Sequence, residues 1–380
     1  MQEGSKVKIL MFNGDGLDPG DVLVPLKSRS SSKVEMARSE ALPKALSHSN
    51  FDLFLMHAES LAEEEIQVLT TVRAMKPDLP VLIVSTELSA DQTRLLLKHN
   101  VQDWLAKPVS AESLDSAILG AFRVKRIQDN SVHAVLSVVG GAGATTVAVS
   151  LADLLVSENK KSSNIALFDL DFSTGNCSYT LDMVNEFNLG SVIDAPQRVD
   201  DEFIRLVQQK HRRGFYLYSF KRPGLNTEIN SYELVLRMLD AVLLEHTHTI
   251  LDIPYYDTEW RDDVLSAVNT CTLVTELNLP ALKHTLDMIK YVRELRGETF
   301  PLSVIINKKS GQLFGGRISK KRLQSLLGEV PYYFLPEEND ILGEALDRGI
   351  LPVEIRARNG FSRKLSKIFS QLQMAPKVMS

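Results

Sequence analysis

The chain has 380 residues, of which 44% are hydrophobic and 24% charged, with a net charge of −5. This is ordinary globular composition at a length that suggests two domains, and the charge excludes a strongly basic surface built for nucleic acid or an anionic membrane. No apolar run approaches the roughly 20 residues that span a bilayer. The two cysteines, Cys177 and Cys271, fall in different elements without metal spacing, which fits a reducing cytoplasm.

The N-terminus leads into an apolar strand, Lys8–Phe12, rather than a secretory signal. The serine-rich stretch from Ser28 to Lys33 reads as a loop. Further strands are expected at Val34–Arg38, Asp52–Met56, Val81–Val84 and Val101–Leu105, and helices at Leu61–Met75, Ala90–Lys98 and Ala111–Val124. Strands alternating with helices imply a parallel sheet covered on both faces, and five such units match a flavodoxin-like order. Asp52–His57, Ser85-Thr86 and Lys107-Pro108 together resemble a response-regulator receiver domain over residues 1–127. That family needs an aspartate at the end of the third strand and an acidic pair after the first. Here His57 stands in the acceptor slot, and Asn13-Gly14-Asp15 leaves one acid. The resemblance therefore implies a pseudo-receiver used for docking, with His57 a packed strand end.

A short linker, Val124 to Ser131, leads to a second domain over residues 132–380. The apolar run Val132–Val139 breaks at Gly140, Gly141 and Gly143, and a helix with Val147, Leu151, Leu154 and Leu155 on one face follows. Strand, glycine-rich turn and helix form the setting of a phosphate-binding loop. Gly140, Gly141, Ala142, Gly143, Ala144, Thr145 and Thr146 are its candidate residues; the Thr145 hydroxyl would reach Mg²⁺ and Thr146 an inner phosphate. Taken alone, three glycines are equally a ligand-free turn.

Gly140-Gly-Ala-Gly-Ala-Thr-Thr146 resembles the deviant phosphate loop, Lys-Gly-Gly-Val-Gly-Lys-Thr-Thr, of the MinD/ParA ATPases. Ala144 in the lysine slot is similar to the TadZ/CpaE branch, the assembly proteins of Flp/Tad pili. Val139 occupies the other lysine slot, so both loop cations are absent. Further down the chain, Ile165–Asn176 is a strand ending in Asp169 and Asp171. The resemblance gives Asp171 the role of orienting the attacking water, puts Asp169 outside the metal's inner ligands, and makes Ser173–Thr180 a nucleotide-sensing switch. Residues 189–245 read as mostly helical around a strand, Phe215–Ser219, that leads into Lys221-Arg222. Thr249–Pro254 is a strand carrying Asp252, a second metal candidate with Thr145. Thr272–Thr275 and Leu302–Asn307 are further strands, with a helix at Pro280–Leu295 between them. In the resembled family Asn307 reads adenine, and the Phe334–Glu337 segment, with Pro336, lies by the base.

Phe361, Leu365, Ile368, Phe369 and Leu372 mark a terminal amphipathic helix, with Arg363, Lys364 and Lys367 off that face. MinD binds membranes through such a tail. A helix packed on the domain core is the favoured reading, and peripheral membrane contact stays open.

The resemblance implies an α/β chain that binds ATP and Mg²⁺ and dimerises around nucleotide. Its role would be localisation or assembly in Flp/Tad pilus biogenesis, with weak or no hydrolysis. The partners would be a second copy and the pilus machinery, with no sequence-specific nucleic acid. The site of action would be the cytoplasm, with the cell pole and the inner-membrane surface left open. An active partitioning ATPase is the alternative.

Overall fold

The computed structural model describes residues 7–27, 32–158, 164–172, 174–193, 195–220, 232–310, 318–372 and 374. Ser28 to Ser31, Ser173 and Lys221-Arg222 lie outside the described residues. The chain divides into two compact units, 1–128 and 129–380.

In the first unit the strands are β1 (Val7–Asn13), β2 (Ser32–Ala37), β3 (Leu53–His57), β4 (Val81–Ser85) and β5 (Asp103–Ala106). They form one parallel sheet in the order β2-β1-β3-β4-β5, the flavodoxin-like arrangement expected. Every residue of β3 and β4 is buried, as a sheet covered on both faces requires. One core holds Leu10, Phe54 and Val72, and the other Ile9, Leu55 and Ile118. Helices at Glu63–Met75 and Ala90–Lys98 lie where the periodicity places them; Ser89 starts the latter by accepting from the Gln92 N–H. The fifth helix runs Ala111–Asp129, through most of the expected linker, because Val124–Asp129 contains no glycine or proline to stop it. Two short helices, Gly20–Lys27 and Leu42–His48, were not expected. Each carries a proline, Pro25 inside the first and Pro43 in the first turn of the second.

The second unit contains β6 (Ser131–Ser137), β7 (Ile165–Asp169), β8 (Gln209–Lys210), β9 (Tyr216–Tyr218), β10 (His248–Ile253), β11 (Thr270–Glu276), β12 (Leu302–Lys309) and β13 (Tyr332–Pro336). Their order is β13-β12-β11-β6-β10-β7-β9-β8, parallel except for the β8–β9 pair. Parallel pairing brings the carboxyl ends of β6, β7, β10 and β12 to one edge, where open α/β sheets bind ligands.

Helices close both sheet faces. Ala144–Glu158 buries Val147, Leu151 and Leu155 on one face; Tyr232–Glu245 buries Leu234, Met238 and Val242 on the other. The terminal helix Gly360–Phe369 is capped by Asn359, whose Oδ1 accepts from the Ser362 N–H at 2.6 Å. Phe361, Leu365, Ile368, Phe369 and Leu372 are all buried in the same core as helix Ala144–Glu158, while Arg363, Lys364 and Lys367 face outward. Each such side chain contributes on the order of 1.5–3 kcal/mol when fully buried. The apolar face of this helix is therefore occupied by the protein's own core. Among the described residues no helix is long and apolar enough to cross a membrane.

Candidate functional site

The loop between β6 and helix Ala144–Glu158 is shaped by two left-handed glycines, Gly141 at φ 77° and Gly143 at φ 87°. Side chains rarely adopt such angles. Gly143 has a second reason to lack a side chain: a Cβ there would stand 2.5 Å from Asn307 Nδ2. The loop is fastened at several points. Val138 N–H donates to Val274 O at 3.0 Å, and Ser137 Oγ to Val139 O at 2.9 Å. Asn307 Nδ2 donates to Ala142 O at 2.9 Å. The first-turn N–H groups of Ala144, Thr145 and Thr146 have no carbonyl within their own helix and open toward the loop, a ready anion site. Ala142 and Ala144 are buried; Thr145 and Thr146 are half-buried.

The Thr145 hydroxyl lies by the carboxylate of Asp252 and favours its charged form. This brings the helix start to the end of β10, the two positions expected to hold a metal. Asp169 lies alongside. Its Oδ2 accepts from Ser219 Oγ at 2.7 Å and Cys177 N–H at 2.9 Å, and its Oδ1 from the Asp171 N–H at 3.0 Å. Burial, followed by the charge of Asp252, pushes the Asp169 carboxyl up to about 7. Burial likewise pushes Asp252 up to about 6, against the opposing effect of Thr145 and Cys177. Two buried carboxylates this close favour a cation or a shared proton.

Asp171 is held differently. Its Oδ1 accepts from Tyr256 OH at 2.7 Å and its Oδ2 from Thr174 Oγ1 at 2.5 Å, so it belongs to the loop after β7. Pro336 ends β13 opposite Lys309 of β12, at the same sheet edge. The structure thus gathers Thr145, Asp169, Asp252 and Asn307 around the loop. Asn307 is turned onto the loop and buried, and its Oδ1 has no partner among the described residues.

No family model matches the chain, and no curated protein matches it in sequence. Solved structures match it in fold. A ParA family ATPase from Chlorobium tepidum superposes with a TM-score of 0.55 at 18% identity, over 63% of this chain and 98% of its own. The cell division ATPase MinD of Pyrococcus furiosus gives 0.53 at 16%, over 64% and 98%. The septum site-determining protein MinD of Pyrococcus horikoshii, solved with Mg-ADP, gives 0.51 at 16%, over 64% and 96%. Matches of that extent exceed the first unit, which ends at Gln128, and require the second. The second unit has a MinD/ParA-type fold. At these identities the fold is what is shared.

Three features of this MinD/ParA-type domain escaped the sequence reading. Cys177 Sγ donates to Asp252 Oδ2 at 3.4 Å, so a cysteine without metal spacing in sequence reaches the carboxylate pair in space. Tyr255 lies against Gly140, where a Cβ would stand 3.3 Å from its ring. Lys308 Nζ donates to Gly141 O at 2.6 Å. An Asp-x-Pro-Tyr-Tyr run after a strand was the available signal for the tyrosines; nothing in the sequence pattern signalled Lys308.

In the first unit, His57 ends β3 fully buried. Its Nδ1 lies 2.7 Å from Asn13 Oδ1, and the tautomer protonated at Nδ1 satisfies the contact. Burial, then the Lys107 ammonium, hold His57 below its ordinary pKa and favour the neutral ring. Asn13 Nδ2 donates to Leu17 O at 2.9 Å, and Lys107 pairs with Glu59 at 3.4 Å. Asn13 thus spends its amide on His57 and the turn after β1, while His57 Nε2 is buried without a partner among the described residues.

Proposed function

We propose that the second unit binds ATP with Mg²⁺ and hydrolyses it slowly or not at all. The observation that carries this is the buried cluster of Asp169, Cys177 and Asp252, whose ligand atoms lie within 4.8 Å of one another beside Thr145, next to a loop with two left-handed glycines and no cation at Val139 or Ala144. The residues fit the group. Gly141 leaves open space where a side chain would stand, the helix start supplies N–H donors, and the buried Asn307 Oδ1 is an acceptor that a purine amino group would complete. Thr145 and Asp252 would hold Mg²⁺, which supplies charge neutralisation when bound, and Asp169 would fix the segment from Asp171 to Cys177 around it. Asp171 would orient water.

Phosphoryl transfer depends on positioning and on cations that stabilise the transferring group. Losing such a contact typically costs a factor of about 10²–10³ in rate. Ground-state binding through amides and Mg²⁺ tolerates the loss better. The resemblance to TadZ/CpaE extends the proposal: a nucleotide-dependent homodimer acting in localisation or assembly of the Flp/Tad pilus machinery, with the first unit a docking module. Titration with ATP, with and without Mg²⁺, beside a phosphate-release assay and light scattering, tests it. Binding with dimerisation and little turnover is expected. No heat at millimolar ATP overturns it, and brisk turnover abolished by Asp171→Ala favours the partitioning-type ATPase.

A further inference from the structure

Lys308 and its neighbour Asn307 break the rule of their strand. Successive side chains of a β-strand point to opposite faces. Here both reach the phosphate loop: Asn307 Nδ2 contacts Ala142 O at 2.9 Å and Lys308 Nζ contacts Gly141 O at 2.6 Å. Two departures make this possible. The register against β13 slips between Ile306 and Lys309, and Lys308 takes a left-handed φ of 54°. A bulge of this kind re-aims a side chain, and a lysine in that backbone region is uncommon. Lys309, the next residue, turns away and lies 4.3 Å over the Phe334 ring.

The loop that Lys308 touches has no charge of its own, since residues 139 to 146 are valine, glycine, alanine and threonine. Ala144 is also buried. The Lys308 ammonium is shared with Glu276 Oε1 at 2.8 Å, at the end of the adjacent strand β11. That pair is partly solvated, with the lysine side chain 45% and the glutamate 28% exposed. Half-exposed pairs bind weakly, and the lysine stem is flexible enough to release its head group.

We propose that Lys308 is the cation that recognises the nucleotide's phosphate chain, delivered from β12 in place of the two absent loop lysines, with Glu276 holding it when no phosphate is present. This rests on the nucleotide-binding reading above. On binding, the ammonium exchanges the Glu276 carboxylate and Gly141 carbonyl for phosphate oxygens. Because Asn307 and Lys308 leave the same bulge, the buried amide and the phosphate-side cation are set by one piece of backbone.

The test uses the full chain as wild type, Lys308→Met, Lys308→Arg and Glu276→Gln, with affinities for AMP, ADP and ATP measured in Mg²⁺. Lys308→Met should lose about tenfold to a hundredfold for ATP, the range of a charge-assisted hydrogen bond, and progressively less for ADP and AMP. Lys308→Arg should retain most of the ATP affinity. Glu276→Gln should raise the ATP-to-AMP preference. A purely structural role for the Lys308–Glu276 pair would move all three nucleotides equally, and that result overturns the proposal. So does an unchanged ATP affinity in Lys308→Met. If Lys308→Met melts early without nucleotide, Glu276→Gln decides: an unchanged ATP-to-AMP preference is again a refutation. A wild type that binds none of the three removes the nucleotide reading itself, a failure distinct from the others.

Discussion

Replacing Gly143 by alanine should damage the loop in two separable ways. The residue sits at φ 87°, where an L side chain costs about 1–2 kcal/mol. The new Cβ would also lie 2.5 Å from Asn307 Nδ2, so the amide must move and its 2.9 Å bond to Ala142 O is lost. Asn307 is buried, and an unsatisfied buried amide costs about 1–3 kcal/mol. Together the second unit should lose about 2–5 kcal/mol. The chain has two tryptophans, Trp104 in the first unit and Trp260 fully buried in the core of the second. In a Trp104→Phe background, urea unfolding followed by fluorescence therefore reports the second unit alone. Asn307→Ala should cost about 1–3 kcal/mol by itself. The double variant should cost less than the sum of the singles by at least about 1 kcal/mol, because the clash has no partner left. Costs that add to within about 0.5 kcal/mol would show that Gly143 and Asn307 do not meet, and the account of the loop would be wrong.

Other outcomes follow from the carboxylates, His57 and the terminal helix. Asp169 and Asp252 have pKa values raised by burial, so their contribution to the nucleotide-free fold is fully present below the ordinary carboxylate value of about 4 and is lost as pH rises from there to about 7. Mg²⁺ needs them deprotonated, so the thermal shift given by MgATP should grow between about pH 5 and about pH 8; a flat shift contradicts metal binding at this pair. Acetyl phosphate with Mg²⁺ should leave residues 1–128 without a phosphoryl adduct by intact mass, since His57 is buried and bonded to Asn13; a stable adduct refutes the docking-module reading. Leu365→Ala should destabilise the second unit by about 2–5 kcal/mol, and wild-type protein should not sediment with anionic vesicles, because the apolar face of Gly360–Phe369 is already buried; tight vesicle binding lost on truncating that helix would reverse this.

The alternation of apolar runs and helical stripes was enough to read the α/β class and the 2-1-3-4-5 order of the first sheet, because period and burial leave a direct mark in sequence. The short helices at Gly20 and Leu42 were hidden by their prolines. The edge strand β5 runs Asp103–Ala106 instead of Val101–Leu105, since a half-exposed strand carries a weak pattern. In the site, strand ends located Asp169 and Asp252, and the glycine-rich turn before a helix located Thr145. The direction of Asn307 and Lys308 was illegible because it follows from a register slip and a left-handed residue, neither of which has a composition signature. The hold of Tyr256 on Asp171 was missed for a related reason: it joins residues 85 positions apart through a turn.

The place of β6 has a consequence for biosynthesis. It is the first strand of the second unit, yet its two neighbours are β10 and β11, which begin at His248 and Thr270. The amide that fastens its loop comes from Asn307, 165 residues after Ala142. A ribosome adding roughly 5–20 residues per second needs about 8–33 s to cover that distance. For that time the nascent chain holds a glycine-rich loop without the amide that fastens it, although the strands that pair with β6 are complete earlier. The site is then completed by the last third of the chain, so fragments released before β12 would lack the bulge that carries Asn307 and Lys308.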